Sequence, residues 1–188
     1  PDPQHTGRFD VPLPKPGVDT GMGFERILSV LQNAPANYDT DLFTDIMDFT
    51  QDILGHDDEY RAQNYVAYRV IADHTRAAAF LIADGVNPGT TGREYVTRML
   101  IRRALRFAHS MDVQRPFLAE VGMAVVEKMA EVYPELRQFR EAIRYQIATE
   151  EERFTHTLGQ SLDELEAEIE RMQKRGETVM GGETAFSL

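Results

Sequence analysis

Cysteine is absent from the 188 residues, which excludes a disulfide framework and any thiolate metal site, zinc included. Tryptophan is absent too, and no apolar run comes near the ~20 residues that a membrane-crossing helix needs. The polar, proline-rich start lacks the apolar core of a signal peptide, so no leader is expected and the expected location is cytoplasmic. Internal repeats and low-complexity tracts are also missing. What remains is the composition of a soluble globular protein, 42% hydrophobic and 27% charged, long enough for one substantial core or two small domains.

The formal net charge of -11 argues at first against a nucleic-acid partner, because phosphate contacts need positive potential. The charge is unevenly spread. Between Arg69 and Arg115 eight arginines face four acids, a local balance of +4, which leaves -15 for the rest of the chain. Such a distribution fits one basic face on an otherwise repulsive body.

Two segments carry chemistry. The first is Val18-Asp19-Thr20-Gly21-Met22-Gly23-Phe24-Glu25-Arg26, where glycines alternate with apolar residues at strand period before an apolar helical run through Ile27, Leu28 and Leu31. Glycine inside a strand leaves a bare surface that a ligand can approach closely. With Asp19 near one end and Arg26 at the other, that surface suits a nucleotide carrying phosphates beside a small amine. The alternative is an ordinary strand-to-helix turn with Arg26 as a surface cation. The second segment is an arginine row: Arg98, Arg102 and Arg106 recur every four residues with Arg103 beside them, after the loop Asn87-Pro88-Gly89-Thr90-Thr91-Gly92. The row either brackets successive phosphates or pairs with acids of the Glu150-Glu151-Glu152 cluster or the C-terminal helix.

Beyond the opening strand the pattern predicts helices almost throughout. The first runs from Phe24 to before Asn33. A second, capped by Asp39 or Thr40, carries Leu42, Phe43, Ile46, Met47 and Ile53 as far as Gly55. A third spans Asp58 to Asp84, with Tyr65, Tyr68, Ile71, Ala72, Ala78, Ala79 and Ile82 inward. The arginine-rich helix is expected to turn Tyr95, Val96, Met99, Leu100 and Leu105 to the core. Another runs from Phe117 to Val132, and Pro134 opens a long helix or helix pair to about Arg175, whose apolar positions, Leu136 to Met172, form core or a coiled-coil seam. Gly159 is a weak point there, expected to mark a bend. Among the histidines, His74 next to Asp73 either binds a metal or relays a proton, or sits hydrogen-bonded behind the core; the last is the favoured reading. His5, His56, His109 and His156 do not converge on any metal.

The segment from Pro12 through Val18-Asp19-Thr20-Gly21-Met22-Gly23-Phe24-Glu25-Arg26-Ile27 resembles motif 3 of the class II aminoacyl-tRNA synthetases in its alanyl-tRNA synthetase form. Asn37-Tyr38-Asp39-Thr40-Asp41-Leu42-Phe43, Tyr68-Arg69-Val70-Ile71-Ala72-Asp73-His74, Phe80-Leu81-Ile82-Ala83-Asp84-Gly85-Val86, Arg102-Arg103-Ala104-Leu105-Arg106 and Gly182-Glu183-Thr184-Ala185-Phe186 continue the resemblance in family order. It implies that Arg26 is catalytic and binds ATP phosphates, that Gly21 and Gly23 lie beneath the adenosine, and that Asp19 holds the amino group of the substrate alanine. Phe24 stands where leucine is more usual, a packing change.

For RNA, the resemblance implies that Thr90, Arg93, Arg98, Arg102, Arg103 and Arg106 lie in the region that binds the acceptor stem of tRNA(Ala). The family reads a G:U wobble pair there with a loop asparagine. The aligned residue is Thr90, whose hydroxyl cannot present the paired donor and acceptor of an amide. Glu94 stands where glycine is usual and brings a negative charge toward phosphates.

The expected fold is therefore mainly α. Residues 1-33 would be a C-terminal remnant of the class II catalytic domain, with one short strand of its sheet, and 34-188 the helical tRNA-recognition domain. Too little chain precedes Val18 for motifs 1 and 2, so the chain is expected to be a fragment unable to form alanyl-adenylate alone. ATP with Mg2+ and alanine would serve the parent alanine ligase, with no cofactor held tightly by this chain and no metal site, membrane or DNA partner. The other readings are a non-catalytic tRNA-binding module or paralogue, and a helical protein-interaction domain.

Overall fold

The computed structural model describes Gly17 and residues 20–187, with the side chains described as far as 186. Among the described residues every regular element is helical. The chain divides into two compact units, Pro1–Thr40 and Asp41–Leu188.

The first unit holds α1 (Phe24–Leu31) and a 3-10 turn, Asn37–Asp39. Residues 20–23 take no regular structure, while Val18 and Asp19, where the expected strand begins, lie outside the described residues. Helix α1 starts and stops where its sequence predicts. It buries no side chain, and Met22, Phe24, Val30 and Leu31 stay exposed. The turn closes when the Thr40 hydroxyl donates to the Asn37 carbonyl at 2.7 Å.

The second unit is a helical bundle with α2 (Asp41–Leu54), α3 (Asp58–Gln63), α4 (Tyr65–Ala83), α5 (Gly92–His109), α6 (Leu118–Met129), α7 (Pro134–Gln138), α8 (Arg140–Arg175) and α9 (Gly182–Ser187). Its core is built on Phe43, Ile46, Met47, Tyr68, Ile71, Ile101, Leu118, Val121, Val125, Leu136, Ile143 and Ile147, all essentially inaccessible. Helix α4 lies at the centre, packing most extensively on α5 and also against α2, α6 and α8. Alanine makes that position tenable. Ala67, Ala72, Ala78, Ala79 and Ala83 of α4 and Ala104 and Ala108 of α5 are buried, and side chains this small let neighbouring helix backbones approach. Gly122 does the same for α6 against α8, since a Cβ there would stand 2.8 Å from Ile147 Cδ1.

The helix expected from Asp58 to Asp84 is two helices. Asn64, at φ -106° and ψ 22°, separates α3 from α4, and its Nδ2 donates to the Tyr60 carbonyl at 3.0 Å. A short amide that satisfies a local carbonyl competes with helix propagation. Asp57 caps α3 by accepting from the Tyr60 backbone N–H at 2.7 Å, and the Tyr60 hydroxyl donates to the Met111 carbonyl at 3.0 Å. The stretch from Pro134 is likewise interrupted, at Phe139, which separates α7 from α8. Helix α8 then continues unbroken through Gly159 and ends at Gly176, whose φ of 71° closes the helix by bonds from the Gly176 and Glu177 N–H groups to the Gln173 and Met172 carbonyls.

The core-facing side of α5 is a second correction. Thr97, Ile101, Ala104, Leu105 and Ala108 are buried, while Tyr95, Val96 and Met99 are exposed. Only Leu105 of the expected apolar set is buried. The close approach of α4 selects the face bearing small residues, which outweighs the larger side chains on the other. No helix among the described residues is long and apolar enough to cross a membrane.

Candidate nucleic-acid interface

The loop before α5 is fixed at both ends. The Thr97 hydroxyl donates to the Val86 carbonyl at 3.0 Å inside the core, and the Gly89 N–H donates to the Glu94 carbonyl at 3.0 Å across the loop. Gly89 is required there: a Cβ would lie 2.7 Å from Glu94 Cβ and 2.6 Å from its Oε2. Gly92, at φ 57°, then turns the chain into the helix. Thr90 and Thr91 are left exposed on a loop whose backbone is held, beside the first turn of α5 with its open N–H groups. Glu94, the unexpected acid, folds back over Gly89.

The arginine row divides. Arg98 Nε and Arg102 Nη1 reach the same oxygen of Glu150, Oε1, at 3.2 and 3.1 Å. Glu150 comes from α8 and is 3% exposed, whereas Arg98 and Arg102 are 29% and 22% exposed. The Arg102 guanidinium also lies 5.1 Å from the ring centre of Phe154. Arg93, Arg103 and Arg106 are exposed and have no carboxylate partner among the described residues; Arg106 rests against its neighbour Phe107. Spacings of three and four residues put Val96, Met99, Arg103 and Arg106 on one helix face, with Tyr95 at its border. An exposed stripe with apolar residues near the loop and cations further along can lie along a phosphate backbone, the apolar end meeting sugar or base.

Glu150 is the residue that fixes half of this row, and Glu151 beside it holds the adjoining helix. Glu151 is buried and accepts from the Phe117 N–H at 2.9 Å and the Leu118 N–H at 3.1 Å, so a carboxylate from α8 caps the N-terminus of α6. Burial pushes its carboxyl above the usual range, while the N–H groups of Phe117, Leu118 and Ala119 pull it down. Of the Glu150-Glu151-Glu152 cluster offered by the sequence as a partner for the arginines, Glu150 alone takes that role among the described residues. In the structure Glu150 and Glu151 turn inward and only Glu152 meets solvent.

In the first unit, Gly23 and Arg26 are neighbours: a Cβ on Gly23 would meet Arg26 Cδ at 3.3 Å and Cγ at 3.4 Å. Glycine therefore leaves room for the arginine stem. Gly21 has open space around it, and Arg26 is exposed. Asp19 lies outside the described residues. His74 Nδ1 is 3.1 Å from Asp73 Oδ2, and Arg76 Nη2 is 3.9 Å from Asp73 Oδ1. Among the described residues no group of three histidines or acids is arranged to hold a metal.

Residues 4–188 match the family described as tRNA synthetases class II (A). The chain is 49% identical over 177 residues to the alanine-tRNA ligase of Carboxydothermus hydrogenoformans, an alignment covering 94% of this chain and 20% of that protein. It is 44% identical over 179 residues to the alanine-tRNA ligase of Bacillus subtilis, with the same two shares. The chain thus spans a fifth of the length of these relatives. With motif 3 and the helical segments falling in family order along almost all its length, the chain belongs to the class II (A) tRNA synthetase family.

Proposed function

We propose that this chain is part of a cytoplasmic alanine-tRNA ligase, supplying motif 3 of its ATP and alanine site and the helical domain that binds the acceptor stem of tRNA(Ala). The observation that carries the RNA half is the exposed stripe of α5, which runs from the fixed Thr90-Thr91 loop at its start to Arg103 and Arg106, open to solvent further along. A rigid loop and a row of cations meet the needs of a double-stranded stem, where phosphate contacts set register and a nearby loop reads the groove. Thr90 offers a single hydroxyl, so any base contact it makes is one hydrogen bond rather than a bidentate pair.

In the parent enzyme Arg26 would stabilise negative charge on ATP phosphates as pyrophosphate departs, and Asp19 would bind the ammonium of alanine. Gly23 supports that role for Arg26, because the missing Cβ frees the stem of the arginine. Mg2+, arriving with ATP, would supply further neutralisation of the phosphates. The 188-residue chain alone is expected to bind tRNA without forming alanyl-adenylate.

Filter binding of tRNA(Ala) to the purified chain across a salt series tests this. Affinity should fall steeply with salt, and Arg103→Ala and Arg106→Ala should each reduce the log–log slope by about 0.7–0.9. Salt-independent retention, or slopes unchanged in both variants, would refute the reading. ATP–pyrophosphate exchange above background would refute the expectation of inactivity.

A further inference from the structure

Arg98 and Arg102 stand one turn apart on α5, and like charges at that spacing repel. Both are drawn to one oxygen of one buried carboxylate, Glu150 Oε1. A staple between α5 and α8 needs a single arginine. The second leaves the trio with a net positive charge at a place where the carboxylate is 3% exposed but the guanidinium groups still reach solvent. A guanidinium has five N–H donors in a planar fork. Each arginine engages Glu150 through one nitrogen, and neither has another carboxylate partner among the described residues. Phe154 further limits Arg102 from one side. The result is two planar cations held in fixed register, with donors unspent, adjoining the exposed stripe of α5.

We propose that Glu150 is a positioning residue that holds Arg98 and Arg102 as a paired clamp for one backbone phosphate of an RNA stem. The clamp rests on the acceptor-stem reading above. A phosphate accepts parallel N–H bonds from guanidinium forks whose orientation is already fixed, so little side-chain freedom is lost on binding. Arg103 and Arg106, without such a tether, contribute charge at longer reach.

The clamp makes an expectation opposite in sign to simple electrostatics. Glu150→Gln removes a negative charge beside two arginines, so charge alone would tighten RNA binding. Loss of positioning would weaken it. In filter binding of a tRNA(Ala) transcript to the 188-residue chain, Glu150→Gln should weaken binding about tenfold despite its more positive net charge. Arg102→Lys keeps the charge but not the fork; it should leave the salt slope unchanged and lower affinity about fivefold. Thermal melts by circular dichroism identify any variant that is unfolded at the assay temperature, and Arg102→Lys, which leaves the charge of the trio intact, decides the matter if Glu150→Gln is. Binding by the folded variants equal to or tighter than the unmodified chain overturns the clamp alone. Failure of the unmodified chain to bind tRNA in a salt-dependent way overturns the acceptor-stem reading and the clamp with it.

Discussion

Replacing Glu151 by alanine removes the acceptor for the N–H groups of Phe117 and Leu118 in a place where water cannot take over, since Glu151 and both of its partners are buried. A lost helix cap costs about 0.5–2 kcal/mol, and a buried donor left without a partner about 1–3 kcal/mol. The two descriptions overlap, so the loss should be about 3 kcal/mol, or a fall in melting temperature of about 6–12 °C for a domain of this size. Glu151→Gln keeps a carbonyl acceptor and should lose about 1 kcal/mol. The pH dependence reports the burial of the carboxyl, which disfavours the ionised form, against the N–H bonds of the cap, which favour it. Burial raises the carboxyl above its ordinary value of 4.5, so the folded chain holds this proton more tightly than the unfolded one. The contribution of Glu151 is then fully present below 4.5 and declines as pH rises through its elevated folded value. Urea unfolding of the unmodified chain and Glu151→Gln at pH about 5.5 and about 8 should show a smaller difference at the higher pH. An alanine variant within about 0.5 kcal/mol of the unmodified chain would show that Glu151 does not cap α6 in this way, and a glutamine penalty that grows with pH would show that the N–H bonds outweigh the burial of the carboxyl.

Gly89→Ala should loosen the loop before α5 because its Cβ meets Glu94, and Glu94→Gly in the same chain should remove most of the penalty; additive losses in a double-mutant cycle would contradict the contact. Gly122→Ala trades a gain in helix propensity of about 1 kcal/mol against overpacking of about 1–3 kcal/mol on Ile147 Cδ1. Net destabilisation should result, partly relieved by Ile147→Val, and a chemical denaturation series with no relief would count against the close approach of α6 and α8. His56 Nδ1 lies 2.7 Å from the Tyr68 hydroxyl, and burial lowers its pKa from 6.5 although Asp57 pulls it up. Its contribution to stability should be present above 6.5 and lost as pH falls through the lowered value, a slope that His56→Ala should flatten in melts between pH about 5 and 7.5. The Tyr68 hydroxyl, raised to about 12 chiefly by burial, stays protonated throughout that range.

Helical order is written plainly in this sequence, because leucine, isoleucine and methionine recur at three and four residues and Gly55, Gly85 and Gly176 stop the helices. The breaks at Asn64 and Phe139 are less visible, since neither residue is a strong breaker and tertiary packing decides whether the helix bends. The inward face of α5 was hidden for a different reason. Alanine and threonine carry little hydrophobic signal, yet Thr97, Ala104 and Ala108 are the side that α4 accommodates, and the larger Tyr95, Val96 and Met99 were left outside. The arginine row could be found by spacing alone, but its division could not. Which cations meet solvent depends on Glu150, placed opposite by a helix about fifty residues further on.

Helix α8 runs for 36 residues, yet past Glu151 it buries only Met172. Glu150 sits 25 residues before its end at Arg175, a distance of about 38 Å along the axis. A tilt of about 5° at the point where Arg98 and Arg102 grip the helix would move its far end by about 3 Å. If the proposed contact with RNA tilts α8 at this point, the displacement is magnified at its far end, with the carboxylate that grips both arginines as the fulcrum.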